Sequence, residues 1–258
     1  MQAMVLAGQK NVALKSVSSC AWEAEVPVLG RPLVDWVIAA LKAAATVGGE
    51  IIVVGPPSIG ERNHEVRVAR LGETLWDNLR AGLQALPPDT DRVLICTADI
   101  PLLTGAIVDD FVTHAPIDAD LVYPVVSRGV TVDRYPDTRR TYVRLRGKTV
   151  TGGNLVIARP SVLSRIEQRA QQLIHHRKSP VQLARDVGPL LLLRLITGQL
   201  SLAQAERRVS RVFGIQGRVV ESPYPEIGVD VDKPHDLSVV LRALNEPASD
   251  VGNVQGRR

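Results

Sequence analysis

Aromatic residues are scarce in this 258-residue chain: three Trp, four Tyr and two Phe amount to 3% of it. A core without large rings must be aliphatic, and 45% hydrophobic against 22% charged residues supply one, which excludes wholesale disorder and a fibrous architecture. The same scarcity removes the platforms on which proteins stack unpaired bases, and no signature of a nucleic-acid module is present. Cysteine is scarcer still. Cys20 and Cys96 stand in Ser-Ser-Cys-Ala and Leu-Ile-Cys-Thr, without metal-ligand spacing, so both are expected as reduced thiols and Cys96 as part of a strand core. No apolar run is long enough for a membrane span: the most apolar window, residues 190–195, is interrupted by Arg194. The amino terminus has neither a basic region nor a long apolar one, so a cytoplasmic protein without membrane contacts is expected. A large excess of either charge is lacking too, with 31 Lys and Arg against 27 Asp and Glu; an excess of +4 fits a small phosphorylated ligand better than nucleic acid.

What is present is an alternation of short β-branched runs with longer amphipathic stretches, the pattern of strand–helix units around a mostly parallel sheet. Residues 3–6, 51–54 and 93–96 are almost wholly apolar, as strands covered on both faces are. Between them, residues 32–45 and 74–86 carry apolar residues at helical spacing, the first with Pro32 in its first turn, and a further helix is expected from about Thr104. Residues 121–126, 141–146 and 155–158 read as added, antiparallel strands. Residues 161–213 turn helical with breaks at Pro180, Gly188-Pro189 and Gly198, about four short helices, in which residues 190–195 read as core packing rather than a dimer face. Strands return at residues 218–221 and 227–231 before a last helix from Pro234. One domain is expected over residues 1–246, with the helical stretch as an insertion and residues 247–258 as a frayed polar tail. Monomer and homodimer both remain open.

Four features carry chemistry. The first strand runs into Leu6-Ala7-Gly8-Gln9-Lys10, where a glycine lets backbone N–H groups approach a phosphate, and the loop that follows carries Lys15. Asp99, in Thr97-Ala98-Asp99-Ile100-Pro101, stands just past a strand at the edge where open α/β sheets bind ligands; it reads as a hard-metal ligand or as a helix cap, although Thr104 is better placed to cap. Asp230 and Asp232, in Gly228-Val229-Asp230-Val231-Asp232-Lys233-Pro234, are one strand period apart and face one side, unless Asp232 serves only to cap the last helix. Thr151-Gly152-Gly153-Asn154 reads either as a close approach to a substrate or as a plain turn. His175-His176-Arg177-Lys178 reads as a solvated helix end, with an acceptor phosphate as the other use of its charge.

In order along residues 1–245, these motifs, with Val26-Pro27-Val28-Leu29-Gly30-Arg31-Pro32-Leu33 and Asp230-Val231-Asp232-Lys233-Pro234-His235-Asp236-Leu237, resemble MobA-like nucleoside-triphosphate transferases. The resemblance implies a Rossmann-like, three-layer nucleotide-diphospho-sugar transferase fold. It also implies Mg2+ and transfer of a nucleoside monophosphate to a phosphorylated small molecule with release of pyrophosphate. Asp99 matches the strand-end metal aspartate, Asp232 with Asp230 the second acidic position, and Gly153 with Asn154 the acceptor-side strand. Two positions depart from the pattern. The family's loop reads Leu-Ala-Gly-Gly and carries a lysine ahead of the Pro-x-x-Gly-Arg/Lys-Pro stretch, whereas here Gln9 replaces the second glycine and Glu23 stands at the lysine position.

A carboxylate within about 4 to 6 Å of a triphosphate repels it by roughly a few kcal/mol at an effective dielectric near 20. Glu23 is therefore expected to point away, with Lys10, then Lys15 and Arg31, supplying the positive charge. The expectation is a nucleotidyltransferase in which Lys10, Arg31 and Asp99 act on the phosphates. A noncatalytic nucleotide-binding protein, favoured by Gln9 and Glu23, and a glycosyltransferase on the same fold are the alternatives.

Overall fold

The computed structural model describes residues 1–176 and 188–245. Its centre is the set of wholly apolar strands: β1 (Gln2–Leu6), β4 (Ile51–Val54), β5 (Val66–Ala69) and β6 (Val93–Thr97) lie parallel in the order β5-β4-β1-β6. Alternate residues of these strands feed two cores. Ala3, Val5, Ile51, Val53, Leu94 and Cys96 face α1 (Leu33–Ala43) and α4 (Gly105–His114), whereas Met4, Ile52, Val54, Val93 and Ile95 face α3 (Leu75–Ala85) and α6 (Pro160–His176). Period-two strands between amphipathic helices thus give the three layers.

The sheet continues through β10 (Leu155–Ala158), β7 (Leu121–Ser127), β9 (Lys148–Gly152) and β8 (Val143–Leu145), and β11 (Gly217–Glu221) pairs with β7. Among the described residues only β9 and β10 run against the others, so the sheet, nine-stranded there, is mixed but mostly parallel. These two strands flank an irregularity. Val125 stands opposite Gly152 and Val122 opposite Ile157, so Gly153 to Val156 face only Tyr123 and Pro124. This bulge lifts Gly153 and Asn154 out of the ladder at the carboxyl edge.

Helix starts follow their caps. Thr74 and Asp77 form a reciprocal capping box on α3, and the Thr104 hydroxyl accepts from the Ile107 N–H to start α4. Pro32 occupies the cap position of α1 rather than its first turn, because its extended backbone closes a small hairpin of β2 (Pro27–Val28) and β3 (Arg31–Pro32). Residues 227–231 are not a strand. They form the end of a 3-10 turn (Pro225–Gly228) and an extended crossing over the sheet edge, tied by Asn154 N–H to the Ile227 carbonyl and Val231 N–H to the Asp99 carbonyl, before α9 (Pro234–Asn245).

Of the expected helical insertion, α6 is part of the core, since Val162, Leu163 and Ile166 pack on the sheet. The remaining described helices, α7 (Pro189–Ile196) and α8 (Leu202–Phe213), lie beside the β8–β9 edge. Residues 190–195 do not form a buried core. Leu191 and Leu195 pack on Leu145 and Val150, while Leu190 and Leu193 are exposed, because a helix at the sheet edge has only one side to cover. Pro180, Arg177, Lys178 and residues 247–258 lie outside the described residues, as do the side chains of His175 and His176. Among the described residues, no helix is long and apolar enough to cross a membrane.

Candidate active site

The loop after β1 is held by a buried asparagine. Asn11 donates through Nδ2 to the Ser18 and Cys20 carbonyls at 3.2 and 3.0 Å and accepts from the Leu14 N–H at 3.1 Å. The returning chain then pairs with the outgoing one, Asn11 N–H to the Ala21 carbonyl at 2.9 Å and Glu23 N–H to the Gln9 carbonyl at 3.0 Å. This pairing sets Glu23 beside Gln9 in the wall of a cavity of about 210 Å³, whose other lining residues include Leu6, Ala7, Gly8, Asn78, Thr97 and Asp99. Gly8 lies close under its neighbours: a Cβ there would lie 2.4 Å from Leu71 Cδ2 and 2.8 Å from Asn78 Nδ2, so those side chains would have to move.

The expected arrangement of charge is reversed here. Glu23 does not point away but lines the cavity with Glu73 and Asp99, and among the described residues no Lys, Arg or His lines it. Lys10 and Lys15 are exposed outside it, Lys10 in a backbone bridge to Trp22. Arg31 is engaged elsewhere: its guanidinium lies 4.8 Å from the Trp36 ring and donates to the Asp35 carbonyl. Burial, then the charges of Asp99 and Asp232, push the Glu23 carboxyl up to about 7, against the pull of hydrogen bonds from Gln9 and Val12.

At one edge of this cavity the three expected acids come together. Asp99, Asp230 and Asp232 each offer a carboxylate oxygen, all within 4.8 Å of one another. Thr97 donates to the Asp99 carboxylate, and the burial of Val229 and Val231 turns Asp230 and Asp232 outward, so the period-two reading holds although the segment is not a strand. Burial, then Asp230 and Asp232, hold Asp99 up at about 6, with the Thr97 hydroxyl opposing; burial, Asp230 and Asp236 raise Asp232. Asp230 is already partnered, by the Arg140 guanidinium and by Asn154 Nδ2 at 3.3 Å. Clustered hard oxygens that disfavour their own ionisation are a donor set suited to a divalent cation of the magnesium type.

Asp230 and Asp232 also line a second cavity, of about 440 Å³, with Gly153, Asn154, Arg139, Arg140, Lys233 and His235. Gly152 packs under Tyr123, where a Cβ would meet the hydroxyl at 2.1 Å, so the glycine pair serves the bulge as well as the cavity. Arg139, Arg140 and Tyr123 carry no motif; the arginine pair in the polar stretch ahead of β8 was the one available signal. A larger groove of about 740 Å³, lined by Arg144, Arg146, Lys148 and Arg194, opens at the β8–β9 edge and contains none of the three acids.

Residues 3–186 match the MobA-like NTP transferase domain. The chain belongs to that family. The structure is similar to a hypothetical transferase from Thermus thermophilus, with 40% identity, a TM-score of 0.82, and 92% of this chain and 98% of that one covered. Two remoter likenesses show the nucleotide-diphospho-sugar transferase fold. One is CMP:2-keto-3-deoxy-manno-octonic acid synthetase complexed with CTP, 14% identical over 95% of this chain and 98% of that one, TM-score 0.60. The other is 4-diphosphocytidyl-2C-methyl-D-erythritol synthase from Anaerococcus prevotii, 11% identical over 95% and 98%, TM-score 0.56. No curated protein matches the chain. Against the pattern of MobA-like NTP transferases, the two departures at Gln9 and Glu23 are neighbours in space, joined by the Glu23 N–H to Gln9 carbonyl bond.

Proposed function

We propose that this protein is a Mg2+-dependent nucleotidyltransferase that joins the nucleoside monophosphate of a triphosphate to a phosphorylated small molecule. The observation that carries the reading is the position of the three acids between two cavities: Asp99 borders the one closed by the β1 loop, and Asp230 and Asp232 border the one rich in arginine. The first takes the nucleotide, with the Leu6-Ala7-Gly8 turn against it, and the second the acceptor, with Gly153, Asn154, Arg139 and Lys233 around it. Asp99 and Asp232, with Asp230 behind, would hold Mg2+, which would supply neutralisation of the phosphate charge.

An acceptor phosphate oxygen attacks the α-phosphorus, a new P–O bond forms, and the bond from the α-phosphorus to the bridging oxygen breaks, releasing pyrophosphate. No covalent enzyme intermediate is needed. The chain's own residues position the partners and balance charge, which is how phosphoryl-group enzymes gain most of their rate. Arg140 holds Asp230 and the Gly152 carbonyl, so it fixes the boundary between the two cavities.

A second reading, nucleotide binding without turnover, is favoured by the acid that lines the nucleotide cavity, Glu23. Thermal shifts with the four triphosphates, with and without Mg2+, followed by pyrophosphate release with phosphorylated acceptors, separate the two. Release that needs Mg2+ and an acceptor supports the transferase; a Mg2+-dependent shift without release supports the second reading. Hydrolysis of a nucleotide sugar instead would indicate a glycosyltransferase.

A further inference from the structure

Four cations converge on the groove at the β8–β9 edge: Arg144, Arg146 and Lys148 from the hairpin and Arg194 from α7. Lys148 is paired with Glu221. Among the described residues no acid lines the groove, and Arg144, Arg146 and Arg194 form no ion pair. Arg194 is the one charge in a helix whose other residues are Pro, Leu and Ile, and it is half-buried. The backbone holds the walls together. Arg146 N–H donates to the Leu200 carbonyl at 2.9 Å, Gly147 closes the hairpin turn with a φ of 79°, and the Arg144 stem lies over Gly198, where a Cβ would meet its Cδ at 3.1 Å. Like charges held together cost free energy until an anion meets them. We infer that this groove binds a phosphorylated sugar or polyol carrying at least two phosphates, at a site distinct from the one at the three acids. The inference goes beyond the nucleotidyltransferase reading and does not depend on it.

The charge count sets the number of phosphates. A phosphate monoester carries about −1.5 to −2 near pH 7, so one leaves the three unpaired guanidiniums undercompensated and two balance them. Arginine suits the task because its planar fork of N–H groups meets phosphate oxygens in pairs. The rest of the lining describes the body of the ligand. Thr149 and Gln199 are neutral groups that donate to and accept from hydroxyls, and Leu145 is the one apolar side chain among the described lining residues. Among those residues there is also no aromatic ring, so a base finds no stacking surface and an RNA strand is disfavoured. A volume of about 740 Å³ leaves room for a sugar between the phosphates.

Calorimetry in EDTA tests it, with fructose 1,6-bisphosphate as the probe and fructose 6-phosphate beside it. The wild type should bind the bisphosphate at least about tenfold more tightly than the monophosphate. Arg194→Gln and Arg146→Gln should each weaken the bisphosphate at least about tenfold, whereas Arg139→Ala, in the other basic cavity, should change it less than about threefold. Melting curves and unchanged Mn2+ binding at the three acids establish that the groove variants are folded; Arg146 is exposed, so its variant keeps the test open should Arg194→Gln unfold. No binding by the wild type, unchanged affinity in the folded groove variants, or a loss confined to Arg139→Ala overturns the inference. So does a monophosphate that binds equally well. A hexa-aspartate peptide or a single-stranded oligonucleotide that displaces the probe and binds more tightly also overturns it, and assigns the groove to a macromolecule instead.

Discussion

Glu23→Gln should stabilise the metal-free protein at pH 8 and leave it almost unchanged near pH 5. Burial and the nearby acids raise the Glu23 carboxyl from 4.5 to about 7 in the folded chain. Between those values the folded state holds a proton that the unfolded state has released, so stability falls as pH rises through the interval, and the loss is complete above about 7. Each pH unit of such a difference is worth about 1.4 kcal/mol, which gives roughly 3 kcal/mol at pH 8 and under about 1 kcal/mol at pH 5. The isosteric amide removes the charge. For a chain of this size the gain is about 5 to 10 °C in Tm at pH 8. Tm would be followed by tryptophan fluorescence or calorimetry in a chelator at the two pH values. An equal Tm for both proteins at pH 8, or a difference of the same size at both pH values, would refute the electrostatic account of this residue.

Three further outcomes follow from the site. Asp99→Asn should abolish Mn2+ binding between the three acids while the metal-free variant melts no lower than the wild type above pH 6, because ionised Asp99 is held at a cost by burial; magnetic resonance and melting curves check both halves. Arg140→Ala should cost about 3 kcal/mol, since it leaves the half-buried Asp230 without its ion-pair partner, and urea titration measures it. Lys10→Ala should change tripolyphosphate affinity less than about threefold, under about 0.7 kcal/mol, because Lys10 does not line the cavity proposed for the nucleotide; calorimetry reads this directly.

Much of the frame was legible from periodicity. Residues 51–54 and 155–158 are strands with the expected bounds, and Thr74 and Thr104 cap the helices expected there. The three acids were legible as well, two from their alternation and one from its place past an apolar strand, and they converge within 4.8 Å. Long-range pairing was not. The crossing of residues 227–231 depends on hydrogen bonds to Asp99 and Asn154 that no local pattern encodes, and an apolar run there reads like any other strand. Glu23 was misplaced for a related reason: simple repulsion argued that it should leave the phosphates, but the Asn11-anchored loop returns its backbone to Gln9 and fixes it in the wall. Arg140 was missed because its partner, Asp230, is ninety positions away in the chain.

The central claim is that the α-phosphorus of a nucleoside triphosphate passes to a phosphorylated acceptor across the three acids. The most direct measurement follows radiolabel from triphosphates marked at the α or the γ position in the presence of Mg2+ and a panel of phosphorylated small molecules. The account predicts α-label in a new acceptor product, γ-label released as pyrophosphate, and neither with Asp99→Asn. Transfer of γ-label to the acceptor, or an acceptor product that forms equally well with Asp99→Asn, would contradict it.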